Sequence, residues 1–525
     1  MTNPVKNSAK KLSLDGLSLS LDDFQPLLCE DLAGSKPGLS LSVPKAAMQR
    51  VARARKLVED HVQAGNVVYG LTTGFGKLKS VAIDEENLEE LQRNLVLSHC
   101  CGVGAAMPLE EVRVAQILRL NGLVRGHSGV CVSTVEKLVR LFNKGFVPEV
   151  PQQGSVGASG DLALLSEMSA TYMGYGYAYV NGKRKSAKAA LKAVGEEPLV
   201  LQAKEGLALI NGTEMMKAIG VVTWLRAQNL SKASDAIAAL SLEALFGSLK
   251  PFDDRLAELK GHAGHRRTSN NFRKLLKSSK VLASHKDCGR VQDPYSLRCI
   301  PQVHGAFKAA LGHVGEVLSG EINSVTDNPI LFPDTGEVIS AGQFHGQPVS
   351  MIMDYLALSL CTLANISERR VEQLVNPDLS GLPAFLTPEP GLNSGFMIAQ
   401  VSAASLASEN KSMAHPASVD SVPTSANQED HVSMGVTAAR KARRIVENCE
   451  AVAAIELLCA AQGRDFHKEL KAGRGAQAAW SCVRSQVKPL GKDRYLRPDI
   501  EAARQLIVSG ELVACVEKAA GKLEA

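Results

Sequence analysis

The stretch from Ser350 to Val375, SMIMDYLALSLCTLANISERRVEQLV, indicates the fold class most directly. Four of its apolar residues recur at i, i+4, i+8 and i+11, the spacing of one helix face: Ile352, Leu356, Leu360 and Leu363. Similar long segments with few helix breakers occupy residues 213–247, 302–320 and 432–463. Their Ala-rich, weakly amphipathic composition is typical of helices that are buried on several sides. The sequence therefore predicts a mainly α fold, a large bundle of long helices.

The first part of the chain has shorter elements and glycine-rich loops. Leucines alternate around Asp15-Gly16, which predicts a β-hairpin, and helices are predicted over 44–65 and 84–99. Loops rich in Gly, Ser and Thr occupy 67–76 and 151–160, and Asp161 after the second loop is a good helix N-cap candidate. We therefore expect a smaller mixed region over residues 1–212, which carries the second loop, and the long-helix bundle over residues 213–525.

Composition excludes several classes of protein. The 525 residues are 45% hydrophobic, the net charge is +5, and none of the 11 cysteines forms a CxxC pair, which favours reduced thiols inside the cell. The densest basic cluster, Arg440 to Arg444, lies in a helical pattern and is typical of an exposed charged face rather than a nucleic-acid site. The N-terminus is hydrophilic, and His262 and His265 lack a third metal ligand. We expect a soluble cytoplasmic protein with no nucleic-acid partner, no membrane contact and no metal.

One loop carries unusual chemistry. Residues 154–162, Gly-Ser-Val-Gly-Ala-Ser-Gly-Asp-Leu, place small residues directly before a helix N-terminus. A tight bend could bring the Gly160 amide nitrogen against the Ala158 carbonyl carbon, since glycine lacks Cβ and adopts positive φ. Cyclisation with loss of water and dehydration of Ser159 would give an alkene conjugated to an imidazolone, a strong electrophile whose developing charge the helix N-terminus would stabilise. The segment alone is also consistent with a plain Gly/Ser loop that caps a helix.

This loop resembles the signature of the aromatic amino acid ammonia-lyases and aminomutases, whose Ala-Ser-Gly forms the methylidene-imidazolone (MIO) group. Separate motifs extend the resemblance from Tyr69 to His431: Tyr69-Gly70 with Thr73–Gly76, Gly154–Leu162, Asn211–Thr213, Gln292–Arg298, Phe344–Gly346 and Asn427–Glu429. The resemblance implies a carbon–nitrogen lyase whose MIO cofactor forms autocatalytically from Ala158, Ser159 and Gly160, through an Ala158–Gly160 cross-link and a dehydrated Ser159. It also implies a homotetramer whose active sites are shared between neighbouring chains.

The choice of substrate depends on Ser98-His99 and Glu429. Ser-His resembles the family's histidine enzymes, whereas its phenylalanine enzymes have Phe-Leu and its tyrosine enzymes His-Leu at this place. A histidine side chain needs both a donor and an acceptor, and an apolar wall would leave it unsatisfied at a cost of about 1–3 kcal/mol. Thr72 and Gln347 depart from the histidine pattern. The resemblance thus predicts elimination of ammonia from L-histidine to give trans-urocanate, the first step of histidine degradation.

Two alternatives stay open at this point. The first is a phenylalanine or tyrosine ammonia-lyase or an aminomutase of the same family. The second is a non-catalytic helical assembly that keeps these loops only as structure.

The resemblance also implies roles for individual residues. Tyr69 is the expected base, with Glu429 as a rival base and imidazole ligand. Arg298 is expected to bind the substrate carboxylate and Asn211 to hydrogen-bond the carboxylate and the MIO oxygen region. The remaining expected site residues are His99, which contacts the substrate, Gln292 and Tyr295, which line the site, and Phe344, which packs against the ring or the substrate or anchors the core.

Overall fold

The computed structural model describes residues 10–28, 38–66, 68, 85–285, 289 and 291–525. The α-helices within these residues are α1 (Gln25–Leu28), α2 (Lys45–Gln63), α3 (Leu88–His99), α4 (Leu109–Leu123), α5 (Val132–Asn143), α6 (Leu162–Tyr172), α7 (Ala187–Ala193), α8 (Glu205–Ile210), α9 (Glu214–Ala244), α10 (Asp254–Lys260), α11 (Ala263–Leu275), α12 (Lys280–Ser284), α13 (Tyr295–Arg298), α14 (Ile300–Glu321), α15 (Gln347–Val375), α16 (Pro377–Ser380), α17 (Met397–Met413), α18 (Gly435–Asp465), α19 (Arg474–Gln486), α20 (Arg497–Val508) and α21 (Glu511–Ala520).

The strands are short. They are β1 (Lys10–Ser13), β2 (Leu39–Ser42), β3 (Val103–Ala106), β4 (Val147–Pro148), β5 (Pro151–Gln153), β6 (Tyr177–Val180), β7 (Lys183–Ser186), β8 (Ile330–Phe332) and β9 (Glu337–Ile339). Short 3₁₀-helices occupy Leu21–Phe24, Glu85–Asn87, Lys250–Phe252 and Ala384–Leu386.

The predicted mainly α fold is confirmed, since 61% of the chain is helical. The four long segments of the sequence are α9, α14, α15 and α18. The apolar stripe of α15 is at most 4% exposed at each of its four positions, Ile352, Leu356, Leu360 and Leu363. Periodicity therefore identified both the helix and its buried face.

Spatial compactness groups the chain into two units. The first contains residues 1–222, 315–353 and 416–440, and the second contains 223–314, 354–415 and 441–525. All the strands of the described residues belong to the first unit, as does the loop over 154–160. This grouping does not test whether 1–212 and 213–525 fold as separate domains, which stays a prediction.

The first unit combines small sheets with buried helices. β1 pairs with β2 in parallel, β3 with β5, β8 with β9, and β4, β6 and β7 form an antiparallel three-stranded sheet. The predicted hairpin around Asp15-Gly16 is wrong. Asp15 Oδ1 instead accepts hydrogen bonds from the amides of Leu17 and Ser18, at 2.8 and 2.9 Å, so the chain turns away from β1 and enters a 3₁₀-helix.

Helix α4 lies at the centre of the first unit. Every residue from Glu111 to Leu123 is buried, including the charged Arg113 and Arg119. A helix that is buried around its whole circumference must pair its polar groups internally, because water cannot reach them. The charges of α4 therefore mark positions with dedicated partners.

The second unit is helical throughout its described residues. Helices α11 and α14 touch backbone to backbone in it, because a Cβ added to Gly264 would lie 2.0 Å from the Gly305 carbonyl oxygen. The basic cluster at residues 440–444 is partly buried, which corrects the expectation of an exposed face: Arg443 is 9% exposed, and Lys441 pairs with Asp354 at 3.0 Å.

Among the described residues, α15 is long and apolar enough to span a membrane. However, 61% of its most apolar window is buried inside the protein. The core helix of a soluble protein has the same composition and burial, so α15 is weak evidence for a membrane span.

The close contact of α11 and α14 gives a stability prediction. Gly305→Ala should lower the free energy of unfolding by about 1–3 kcal/mol, because the new methyl group overlaps the backbone of α11. Gly312→Ala in the same helix meets nothing within 4 Å and should raise stability by about 0.5–1 kcal/mol through helix propensity. Thermal unfolding of both variants checks this pair, and equal melting temperatures would contradict it.

Candidate active site

The loop over 154–160 joins β5 to α6 and bends sharply. Gly157 and Gly160 have φ of +72° and +74°, a region that favours glycine. A Cβ on Gly160 would lie 2.0 Å from the carbonyl oxygen of Gly212. The amide of the next residue, Asp161, donates to that same oxygen at 2.7 Å. Gly160 is therefore held against the junction between α8 and α9, where no side chain fits.

Asp161 fixes this bend from below. It stands at the N-cap position of α6 but makes no side-chain bond to its own helix, so the predicted capping of α6 by its carboxylate is wrong. Its Oδ2 accepts from the Met216 amide in the first turn of α9 at 2.9 Å, and its Oδ1 accepts from Ser155 Oγ at 3.2 Å. Complete burial, with the charge of Glu214 adding, raises the pKa of Asp161 to about 7 despite these hydrogen bonds.

A second loop, residues 424–434, covers the first. Met434 donates its amide to the Val156 carbonyl at 2.8 Å, and Ser433 Oγ donates to the Gly157 carbonyl at 3.2 Å. Ser159 Oγ in turn donates to Glu429 Oε1 at 2.7 Å. Segments about 270 residues apart thus form one hydrogen-bonded unit.

Glu429 is oriented through its other oxygen. Thr424 Oγ1 and Ser425 Oγ each donate to Glu429 Oε2 at 2.7 Å. Burial opposes ionisation, but the hydrogen bonds from Ser425, Thr424 and Ser159, together with nearby His99, lower the pKa of Glu429 below its ordinary value. The side chain is therefore a carboxylate with Oε1 directed at Ser159.

His99 ends α3 and faces the same cleft. Its Nδ1 lies 2.8 Å from the Leu95 carbonyl oxygen, which can only accept, so Nδ1 carries the proton. Nε2 of neutral His99 is then a hydrogen-bond acceptor, and becomes a donor only when the ring is protonated. Helix α3 is fixed in turn by Gln92, whose Oε1 accepts from the Gly206 amide of α8 at 2.9 Å.

The cleft between these side chains has a volume of about 270 Å³. Its lining residues all belong to the first unit: Ser98, His99, Cys101, Gly154, Ser155, Val156, Ala158, Ser159, Gly160, Leu162, Ala163, Thr424 and Glu429. Four of the predicted site positions, His99, Ser159, Gly160 and Glu429, therefore meet within one chain. The volume suits a small polar molecule.

Asn211 lies at the C-terminal end of α8, next to Gly212. Its side chain is 3% exposed, and its Nδ2 donates to the Asn328 carbonyl at 3.4 Å. Its Oδ1 is buried and has no hydrogen-bond partner within the part of the chain that the structure describes. A buried unpaired amide oxygen costs free energy, so this oxygen is a candidate for contact with a bound group.

Phe344 is half-buried on the loop that precedes α15. Two residues on, Gly346 packs on Met216, where an added Cβ would lie 2.4 Å from Sδ. The His345 ring stacks on His431, with ring centroids 5.5 Å apart. The Phe344 loop is therefore attached both to α9 and to the loop that carries Glu429.

Three predicted site residues belong to the second unit. Tyr295 and Arg298 lie in the single turn α13, with the Arg298 guanidinium 4.3 Å from the centre of the Tyr295 ring. Tyr295 is 69% exposed, and Gln292 is exposed as well. Tyr69, the expected base, lies outside the described residues.

The sequence analysis missed several residues that shape the site. Thr424 and Ser425 orient Glu429, and Arg119 and Glu214 hold the Asn211–Gly212 junction. Hydroxyl groups in a polar loop carry no periodic signal. Arg119 had a weak signal, as a charged residue inside an otherwise apolar helix.

Comparison with known proteins agrees with this geometry. The model of the aromatic amino acid lyase family matches residues 29–485. The histidine ammonia-lyase of Symbiobacterium thermophilum is 52% identical over 497 residues, 95% of this chain and 98% of that protein, and the one of Myxococcus xanthus is 49% identical over 98% of this chain and 99% of that protein.

Solved structures agree in the same way. Histidine ammonia-lyase from Trypanosoma cruzi has a TM-score of 0.89 at 41% identity, covering 97% of this chain and 95% of that one. Tyrosine aminomutase from Streptomyces globisporus has a TM-score of 0.91 at 35% identity, covering 98% and 100%. From its sequence and its fold alike, the chain belongs to the aromatic amino acid lyase family.

Proposed function

We propose that the chain acts as a histidine ammonia-lyase, which eliminates ammonia from L-histidine to give trans-urocanate, the first step of histidine degradation. The observation that carries the proposal is the cleft that places His99 and Glu429 beside Ser159. Relatives of about 50% identity over nearly the whole chain are histidine ammonia-lyases, which supports the same substrate.

Ala158, Ser159 and Gly160 are the proposed source of the MIO cofactor. In the cyclisation, a bond forms between the Gly160 nitrogen and the Ala158 carbonyl carbon, and the carbonyl oxygen leaves as water with the Gly160 and Ser159 amide hydrogens. A second water takes the Ser159 hydroxyl and its α-hydrogen. The positive φ of Gly160 and its lack of space for a Cβ fit this bend, and the neighbouring Asp161, with a pKa of about 7, can hold or release a proton near neutral pH.

When formed, the cofactor supplies an electrophile that makes the substrate amino group a better leaving group. Loss of the Ser159 hydroxyl also changes Glu429, because Oε1 loses its donor while Oε2 keeps Thr424 and Ser425. An oriented carboxylate with one free oxygen then faces the cleft. That oxygen can accept the imidazole N–H of histidine or act as the base.

Recognition of the imidazole depends on how many protons the site holds. Ionised Glu429 and neutral His99, with Nδ1–H bonded to Leu95, are both acceptors, whereas a neutral substrate imidazole has a single N–H. One additional proton, on His99 or on the substrate ring, completes the pairing. A phenyl or phenol ring would leave at least one of these two groups unpaired.

The remaining roles follow the family resemblance. Tyr69 is the proposed base with Glu429 as its rival, Arg298 and Asn211 bind the substrate carboxylate, Gln292 and Tyr295 line the site, and Phe344 packs on the ring or the substrate. The free Oδ1 of Asn211 supports its part in this set. We place the enzyme in the cytoplasm as a homotetramer in which loops of neighbouring chains complete each active site, with no nucleic-acid or membrane partner.

Product formation and chain mass test the reaction together. Purified protein should generate urocanate absorbance from L-histidine and no product from L-phenylalanine or L-tyrosine. Its intact mass should be lower than the encoded mass by two water molecules, and Ser159→Ala should show neither the loss of the second water nor turnover. Cinnamate or coumarate would assign another substrate in the family, a β-amino acid would assign an aminomutase, and an unmodified inactive chain would leave a non-catalytic assembly.

His99→Leu tests the substrate assignment. Removing the polar partner should lower kcat/KM for histidine by at least about 5- to 150-fold, the equivalent of an unsatisfied group at 1–3 kcal/mol. His262→Leu, which changes an exposed histidine of the second unit, serves as the control and should keep wild-type kinetics. Full activity of His99→Leu on histidine would overturn the assignment.

The pair Thr424→Val with Ser425→Ala tests the state of Glu429. Both hydroxyl groups lower the pKa of Glu429, so their loss should raise that pKa and move the acidic limb of kcat/KM to higher pH. The variants Thr424→Ser and Ser425→Thr keep the donors and should keep the wild-type profile. An acidic limb that stays in place in the first pair would show that Glu429 does not titrate in catalysis.

A further inference from the structure

The Asn211–Gly212 backbone is held from two sides. On one side, the Gly212 carbonyl accepts the Asp161 amide at 2.7 Å and lies against Gly160. On the other side, Arg119 Nη1 on α4 donates to the Asn211 carbonyl at 2.8 Å. The two consecutive carbonyl groups of this junction thus face different partners, and Arg119 fixes the plane of the peptide that leads to Gly212.

Arg119 is itself held by Glu214, the first residue of α9. Arg119 Nη1 lies 3.0 Å from Glu214 Oε2, and the two side chains are 2% and 1% exposed. Glu214 Oε1 accepts from Thr326 Oγ1 at 2.9 Å, with Lys217 Nζ at 3.5 Å. A carboxylate at a helix N-terminus is favourable. Although burial opposes it, the charges of Arg119 and Lys217 lower the pKa of Glu214, so the pair is ionic.

The ion pair also closes the space around Gly212. A Cβ at that position would lie 2.3 Å from Glu214 Oε2 and 2.6 Å from Arg119 Nη1. The pair therefore packs directly against the Cα of the residue whose carbonyl restrains Gly160. Buried ion pairs contribute little net stability compared with apolar residues, but they impose a defined geometry. Geometry at this junction is what cyclisation of the 158–160 loop requires.

We infer that Arg119 and Glu214 are positioning residues for formation of the cofactor: their ion pair holds the Asn211–Gly212 junction so that the Gly212 carbonyl keeps Gly160 in its bend. The inference rests on the proposed function, in which residues 158–160 cyclise. Attack of the Gly160 nitrogen on the Ala158 carbonyl carbon is intramolecular, and its rate depends on how often the two atoms are held in reach. Neither Arg119 nor Glu214 exchanges a proton or a bond in this step.

The rate of cofactor formation tests the inference without reference to activity. Chains made by cell-free synthesis are sampled over time, and the folded soluble fraction is weighed by intact-mass spectrometry. Arg119→Met with Glu214→Gln should slow the loss of two waters on the order of tenfold or more, about 1.4 kcal/mol or more in activation free energy. Thr326→Val, which removes only the donor to Glu214 Oε1, should slow it less and provides a readout if the double variant does not fold.

A matched buried pair separates positioning from general stability. Arg370 and Glu456 of the second unit are 0% and 1% exposed and contact at 2.6 Å. Arg370→Met with Glu456→Gln should lower the melting temperature by a similar amount but leave the rate of water loss in the folded fraction at the wild-type value.

Each outcome decides between two hypotheses. Wild-type rates in the Arg119/Glu214 variant, or in Thr326→Val if the double variant is insoluble, overturn the inference alone. Equal slowing in both double variants also overturns it, because the effect would then be one of stability. A wild-type chain that never loses two waters overturns the proposed function instead.

Discussion

The hydrogen bond from the Asp161 amide to the Gly212 carbonyl, 2.7 Å long, is the contact around which the candidate site is organised. It brings the start of α6 against the junction of α8 and α9, and it leaves no space for a side chain at residue 160. The Asp161 carboxylate strengthens the same contact, since it accepts from Met216 in the first turn of α9. One backbone position thus receives both a backbone and a side-chain restraint.

The interior of the first unit supplies this contact with buried charges. Arg119 on the wholly buried α4 and Glu214 on α9 compensate one another behind the Asn211–Gly212 junction. A second ionic contact, Lys204 with Asp327 at 2.7 Å, is completely buried in the same unit. Charged groups without water are costly unless they are paired and hydrogen-bonded, so each such pair specifies one arrangement of its helices. The polar interior and the bent loop are therefore parts of one construction.

Glu429 shows how an exposed loop can present a defined group. The loop has three consecutive residues with positive φ, Ser425, Ala426 and Asn427, at 51°, 53° and 64°. This costly conformation turns the hydroxyl groups of Thr424 and Ser425 towards one carboxylate oxygen and leaves the other directed at Ser159. Strain in the backbone is thus associated with orientation of the side chain, a pairing that is common at functional sites.

Local sequence determined the helices, the glycine requirement and the chemistry of the 158–160 loop. Apolar periodicity is a property of neighbouring residues, so α15 and its buried face could be read from residues 350–375 alone, and the family motifs indicated which loops carry function. Sequence could not show that β1 pairs in parallel with β2 rather than in a hairpin, that Asp161 bonds to α9 rather than to α6, or that Arg119 meets Glu214. These contacts join residues 29, 55 and 95 positions apart or more, and only the tertiary fold brings them together. A single hydrogen bond or ion pair between distant residues leaves no repeating pattern in the chain, which is the physical reason that the tertiary structure decided them.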